Sequence, residues 1–107
     1  MQPSPSQNKK PMTPPVQYKF RLYVAGESLN SKLALYNLSE FCNAHLVGRY
    51  SIDVVDVFRD PKRALADGVF LTPALIKLSP APVRKIVGTL SNTQVVLIAL
   101  GLNLADT

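Results

Sequence analysis

The segment FLTPALIKLSPAPVRKIVG, Phe70 to Gly88, limits the fold more than any other part of this chain. It holds two short apolar runs, ALIKL and VRKIV, and three prolines, Pro73, Pro80 and Pro82. Proline has no N–H to give to a sheet ladder, so it is confined to strand starts, edges and turns. Pro73 must therefore precede the first run, and SPAP (Ser79–Pro82) must join the two. A connection this short makes the runs an antiparallel hairpin. A hairpin alone is not stable in water, so the rest of the sheet has to come from upstream.

Upstream, QYKFRLYVA (Gln17–Ala25) sets Tyr18, Phe20, Leu22 and Val24 against Lys19, Arg21 and Tyr23. That period of two predicts a strand, ended by Gly26. In the next stretch Ser28 or Asn30 can cap a helix, on which Ala34, Leu38, Phe41 and Cys42 fall at helical spacing. Gly48 reads as its C-terminal signal. YSIDVVDVF is β-branched and reads as a second strand, and Asp60-Pro61 opens a short helix that ends near Gly68. After the hairpin, Ser91 and Gln94 have the spacing of a capping box for a helix from Asn92 to about Leu102. Val95–Leu100 is apolar all round, so that helix must be buried on more than one side or meet a partner.

The order β-α-β-α-β-β-α contains a parallel, right-handed βαβ unit followed by the hairpin. It yields an α/β fold with a four-stranded mixed sheet, the thioredoxin-like arrangement. Residues 17–107 are expected to form this domain. Residues 1–16 carry five of the nine prolines, with Lys9 and Lys10 and no acid, and are expected to be a disordered extension.

The chain has 107 residues and a net charge of +5. Without residues 1–16, ten basic residues stand against seven acidic ones, which favours an acidic partner only mildly. The longest apolar run, Val95–Leu104, is about half the roughly 20 residues of a membrane span. The start of the chain has no apolar signal-peptide core, and the expectation is a cytoplasmic protein. Single-strand nucleic-acid binders interleave aromatics with their basic residues; here the aromatics lack that pattern, and nucleic acid is not expected as a partner.

Thioredoxin-like redox proteins hold their nucleophilic thiol at the N-terminus of the first helix, where the helix dipole lowers its pKa. That place is GESLNS, Gly26–Ser31, without cysteine. Cys42, the one cysteine, lies about three turns on among apolar neighbours and reads as an inert buried thiol. Ser28 could stand in for the thiol in an oxidoreductase or transferase of this fold, but a helix cap is its ordinary role. His45, the single histidine, has no ligand partners at metal spacing and suits a helix C-terminus. Asp53 and Asp56 point to opposite faces of their strand and cannot pair as acid and base. No catalytic residue, cofactor site or metal site is expected.

LYVAG (Leu22–Gly26), Asn30-Ser31, IDVVDVFRDP (Ile52–Pro61), LTPAL (Leu71–Leu75), PAPVRKIVG (Pro80–Gly88) and LSNTQVVLIAL (Leu90–Leu100), in this order and spacing, resemble the KaiB family of bacterial clock proteins. The resemblance spans residues 18–102. It departs at Thr89, where clock-type members carry aspartate, and at Ser79–Pro82, where three consecutive prolines are usual. It implies a non-enzymatic regulator that binds the hexameric ring of a KaiC-like ATPase, engages KaiA indirectly or meets a sensor histidine kinase, and serves a clock or stress adaptation. It also implies two folds: a resting tetramer or dimer with a rearranged β-α-β-β-α-α-β topology, and a monomer with the thioredoxin-like one. On that reading Tyr18, Pro73, Pro80, Pro82, Gly88 and Thr89 belong to the rearranging region. Lys32, Arg59, Lys62, Arg84 and Lys85 are then the candidates for the partner surface. Read without the resemblance, the prolines mark turns and protect an edge, and the basic residues are solvated charge.

Overall fold

The computed structural model describes residues 16–102. The expected extension over residues 1–16 falls, except for Val16, outside the described residues. The elements are β1 (Tyr18–Val24), α1 (Leu29–His45), β2 (Tyr50–Asp56), α2 (Pro61–Ala66), β3 (Ala74–Ser79), β4 (Arg84–Val87) and α3 (Thr93–Ala99). The sheet order is β2-β1-β3-β4. β1 and β2 run parallel with Leu22 beside Val54, β3 runs antiparallel to β1, and β4 antiparallel to β3. This is the thioredoxin-like topology, and of the two arrangements open to the second half it is the one present here.

The alternation in β1 places two cores on opposite sides of the sheet. Phe20, Leu22 and Val24 pack with Ala34, Leu38, Phe41 and Cys42 of α1, Leu75 of β3, and Val96, Leu97 and Leu100 of α3. On the other face Tyr23 packs with Val55, Ala64 of α2, Val69, Ala74 and Ile76. The apolar runs of the second half divide between the two: Leu75 goes to the first core, while Ala74 and Ile76 go to the second.

The prolines stand outside the ladders. Pro73 directly precedes β3, Pro80 and Pro82 lie between β3 and β4, and the peptide bonds before all three are cis. The hairpin also sorts the residues of the expected rearranging region. At one end the Gly88 N–H donates to the Pro73 carbonyl at 2.9 Å, and the Thr89 carbonyl accepts from Asn37 at 2.8 Å. At the other end Lys19, next to Tyr18, is in register with Ser79, next to Pro80.

Four helix ends differ from expectation. α1 stops at His45, and Gly48, at φ +70°, serves the following turn, in which Arg49 N–H donates to the Leu46 carbonyl. Asp60 precedes α2 without a cap bond from its side chain, which lies 3.8 Å from Arg63 instead. α3 is capped by Asn92, whose Oδ1 accepts from Val95 N–H at 3.2 Å, while Ser91 meets Thr89. α3 also ends at Ala99 rather than Leu102. Gly101 takes φ +72°, and Leu102 N–H returns to the Leu97 carbonyl, closing the helix.

Candidate partner-binding site

In a doubly covered α/β sheet, ligands gather beyond the C-terminal ends of the parallel strands. Here that edge is formed by Ala25–Ser31 after β1, Val57–Asp60 after β2, helix α2, and the loop Gly68–Pro73 entering β3. Its first part is a closed hydrogen-bond set. Ser28 is the N-cap of α1: its Oγ accepts from Ser31 N–H at 3.3 Å and donates to Ser31 Oγ at 2.8 Å. Ser31, buried, in turn accepts from Ala25 N–H at 2.9 Å. Among the described residues, the hydrogen-bond partners of the Ser28 hydroxyl are both on Ser31, and neither is a base.

Cys42 sits deep in the first core, and burial pushes its thiol up to about 12, far from the reactive range. His45 lies in the last turn of α1 against the Phe41 ring, 5.0 Å between centroids. Asp53 and Asp56 diverge as the strand geometry requires. Asp56 accepts from the N–H groups of Gly26 and Phe58 and pins the two loops together. Asp53 turns to the α2 face.

That face carries a polar network that the sequence reading did not identify. Arg21 bridges Asp53 and Asp67, each at 3.1 Å, and Arg63 of α2 reaches Asp53 at 2.7 Å. The hydroxyl of Tyr23, itself fully buried, donates to Asp67 and lies 3.0 Å from the Arg63 carbonyl. Tyr23 holds the Asp67 carboxyl below its ordinary range, helped by Arg21; Arg63 does the same for Asp53. Burial, with Asp67 second, pushes the Tyr23 hydroxyl up to about 12. The network ties β1 and β2 to the C-terminal part of α2. Its one signal in the sequence was that Arg21 and Tyr23 share a face of β1.

Two depressions adjoin the network. One, of about 430 Å³, is polar and bordered by Glu27, Asp56, Arg59, Asp60 and Arg63. The other, of about 310 Å³, is lined by Ala25, Val57, Phe58, Pro61, Ala64, Leu65, Val69, Phe70 and Thr72. The five basic candidates do not form one surface. Arg59 and Lys62 are exposed at the start of α2. Lys85 joins their side of the sheet and donates to the carbonyls of Asp67 and Gly68 at 3.0 and 3.2 Å. Arg84 lies on the opposite face, in register with Lys77 and against Gly101. Lys32 is on α1, 3.6 Å from Glu27.

The family model described as the KaiB domain matches residues 21–102. The chain belongs to the KaiB family. It is 45% identical over 85 residues to the circadian clock oscillator protein KaiB of Trichodesmium erythraeum, covering 79% of this chain and 82% of that one. To KaiB of Synechococcus elongatus it is 42% identical over 91 residues, covering 85% and 89%. To the circadian clock protein KaiB3 of Synechocystis it is 39% identical over 80 residues, covering 75% and 78%. Among solved structures, the N-terminal domain of SasA from Synechococcus elongatus matches with a TM-score of 0.65 at 20% identity, over 84% of this chain and 86% of that one. Mitochondrial thioredoxin 3 of Saccharomyces cerevisiae matches with 0.63 at 16% identity, over 81% and 79%. These two share the fold. Among the described residues, no helix is long and apolar enough to cross a membrane.

Proposed function

We propose that this member of the KaiB family is a non-enzymatic, cytoplasmic regulator that acts by binding the ring of a KaiC-type ATPase, in a clock or in stress adaptation. One observation carries the reading. In a chain of this family, the helix end where a redox protein of the same fold would hold its thiol is a sealed cap, Ser28 on Ser31. The relatives named circadian clock proteins support the regulatory role. A sensor histidine kinase is a further partner, and KaiA would be engaged indirectly. The chain also rests as a tetramer or dimer with its second half rearranged. Large apolar side chains left exposed in that half support this: Leu71, Val83 and Ile98 are 68%, 63% and 77% exposed.

The test is size-exclusion chromatography of the protein with a cyanobacterial KaiC hexamer and ATP. A co-eluting complex that forms within a day is expected, and its absence refutes the binding role. Sedimentation at hundreds of micromolar showing only monomer would refute the resting oligomer. NMR showing a single conformer at all concentrations and with KaiC present would refute the rearrangement.

A further inference from the structure

The groove between α2 and the loop entering β3 is the least covered apolar surface of the site. Phe58, Leu65 and Phe70 on its walls are 75%, 65% and 81% exposed, and Ala64 and Val69 form a buried floor. Among the described residues that border it, Thr72 is the one with a polar side chain. Exposed large apolar groups clustered in a concavity mark an interaction surface rather than the scattered apolar residues of an ordinary exterior.

The free charge beside the groove has one sign. The Arg59 side chain is 89% exposed and Lys62 is exposed on the next turn. The neighbouring acids are engaged. Asp56, 3.9 Å from Arg59, already accepts from two backbone N–H groups. Asp60 lies 3.8 Å from Arg63 and Asp67 is held by Tyr23 and Arg21, while Glu27, exposed beside Lys32, borders the polar depression and not this groove.

The geometry points to this groove as the seat of an apolar segment flanked by acidic residues on the ATPase partner, an inference that rests on the binding role proposed above. Charge decides against the other occupants. Residues 1–15 of this chain carry Lys9 and Lys10 and no acid, so the rim repels them. A second copy seated groove to groove about a two-fold axis would set Arg59 and Lys62 against the same two residues. An acidic segment gains from both the apolar walls and the rim, in the way a helix or strand lays apolar anchors into a groove.

The test compares affinity for a KaiC hexamer with ATP between the parent chain and three variants, each checked for an unchanged thermal transition. The Phe58→Ser/Phe70→Ser double variant is expected to weaken binding by about tenfold or more, because it removes both aromatic anchors. Val47→Ser, similarly exposed but beyond the opposite end of α1, is expected to leave it within about twofold. Lys62→Glu is expected to slow association, most at low salt. A photocrosslinker at position 70 should label a partner segment rich in aspartate or glutamate. Unchanged affinity in the double variant overturns the groove as the seat. So does a label in a basic segment, in residues 1–15, or in a second copy. Failure of the parent chain to bind is a different result, which removes the binding role itself and the groove with it.

Discussion

Replacing Tyr23 by phenylalanine deletes one hydroxyl from the buried polar network and leaves the ring in place. The side chain is fully buried, and its hydroxyl donates to a carboxylate whose other side-chain partner among the described residues is Arg21, at 3.1 Å. A hydrogen bond to a charged group contributes roughly 1.5–3 kcal/mol. The Asp67 side chain is 29% exposed, so water compensates in part, and about 2 kcal/mol is expected. For a domain of this size that lowers Tm by roughly 8–16 °C, measured by circular dichroism at pH 7. The pH dependence tests the cause. Asp67 titrates below its ordinary value because the native state bonds its charged form. Its contribution is present above the unfolded pKa, about 4, and is lost as pH falls through the lower folded value. The gap between parent and variant therefore narrows in acid. The Tyr23 hydroxyl moves the other way, from 10.0 to about 12. Its contribution is present below pH 10 and is lost as pH rises toward 12, a loss the phenylalanine variant does not share. A variant within about 0.5 kcal/mol of the parent at pH 7, the range of a neutral surface change, would refute the network as the clasp of α2.

Leu38→Ala opens a cavity under α1, where the leucine is fully buried, and is expected to cost about 2–5 kcal/mol in urea denaturation. Ser28→Ala removes the α1 cap, costs about 1 kcal/mol, and leaves KaiC binding intact; glutathione-dependent turnover by the parent that vanishes in this variant would reinstate the transferase reading. Lys77→Met is expected to stabilise by about 1 kcal/mol at pH 7, because the lysine is 2% exposed, faces Arg84 in register, and meets no carboxylate among the described residues. Burial first, then Arg84, lowers the Lys77 pKa, so the native state sheds its proton more readily, and the parent should recover this deficit as pH rises toward the ordinary lysine value. A lower Tm for Lys77→Met would mean that the ammonium has an acceptor.

The elements and their order were legible because each depends on local pattern. Period two in β1 set Phe20 and Leu22 against Arg21, and proline exclusion fixed both ends of β3. The topology followed from handedness and connection length. What failed to show were interactions between residues far apart in the chain. Arg21 and Asp67 are 46 positions apart, and nothing in either neighbourhood announces the other. Cap choice failed for a related reason. Ser91 and Asn92 are both good N-caps, and the pull of Thr89 on Ser91 at 2.7 Å decides between them. Of the basic candidates, sequence proximity paired Arg84 with Lys85, yet strand alternation sends them to opposite faces, so only Lys85 joins Arg59 and Lys62 on the α2 side.

The same alternation supports the docking role proposed above. α2 has six residues, too few to hold a helix by its own hydrogen bonds. Its position is set from below by Ala64, which packs with Val55 and Tyr23, and toward its C-terminus by Arg63 on Asp53 and Asp67 on Arg21. Those ties sit on the face of β1 that carries Arg21 and Tyr23, and they fix one wall of the groove. The other wall is anchored independently, by Asp56 holding the N–H groups of Gly26 and Phe58. The two walls are thus braced by charged hydrogen bonds rather than by the apolar filling of the groove, which leaves Phe58 and Phe70 free to meet a partner. With Ser28 committed to capping α1, this edge offers shape, apolar contact and positive charge, and those are the properties of a docking surface.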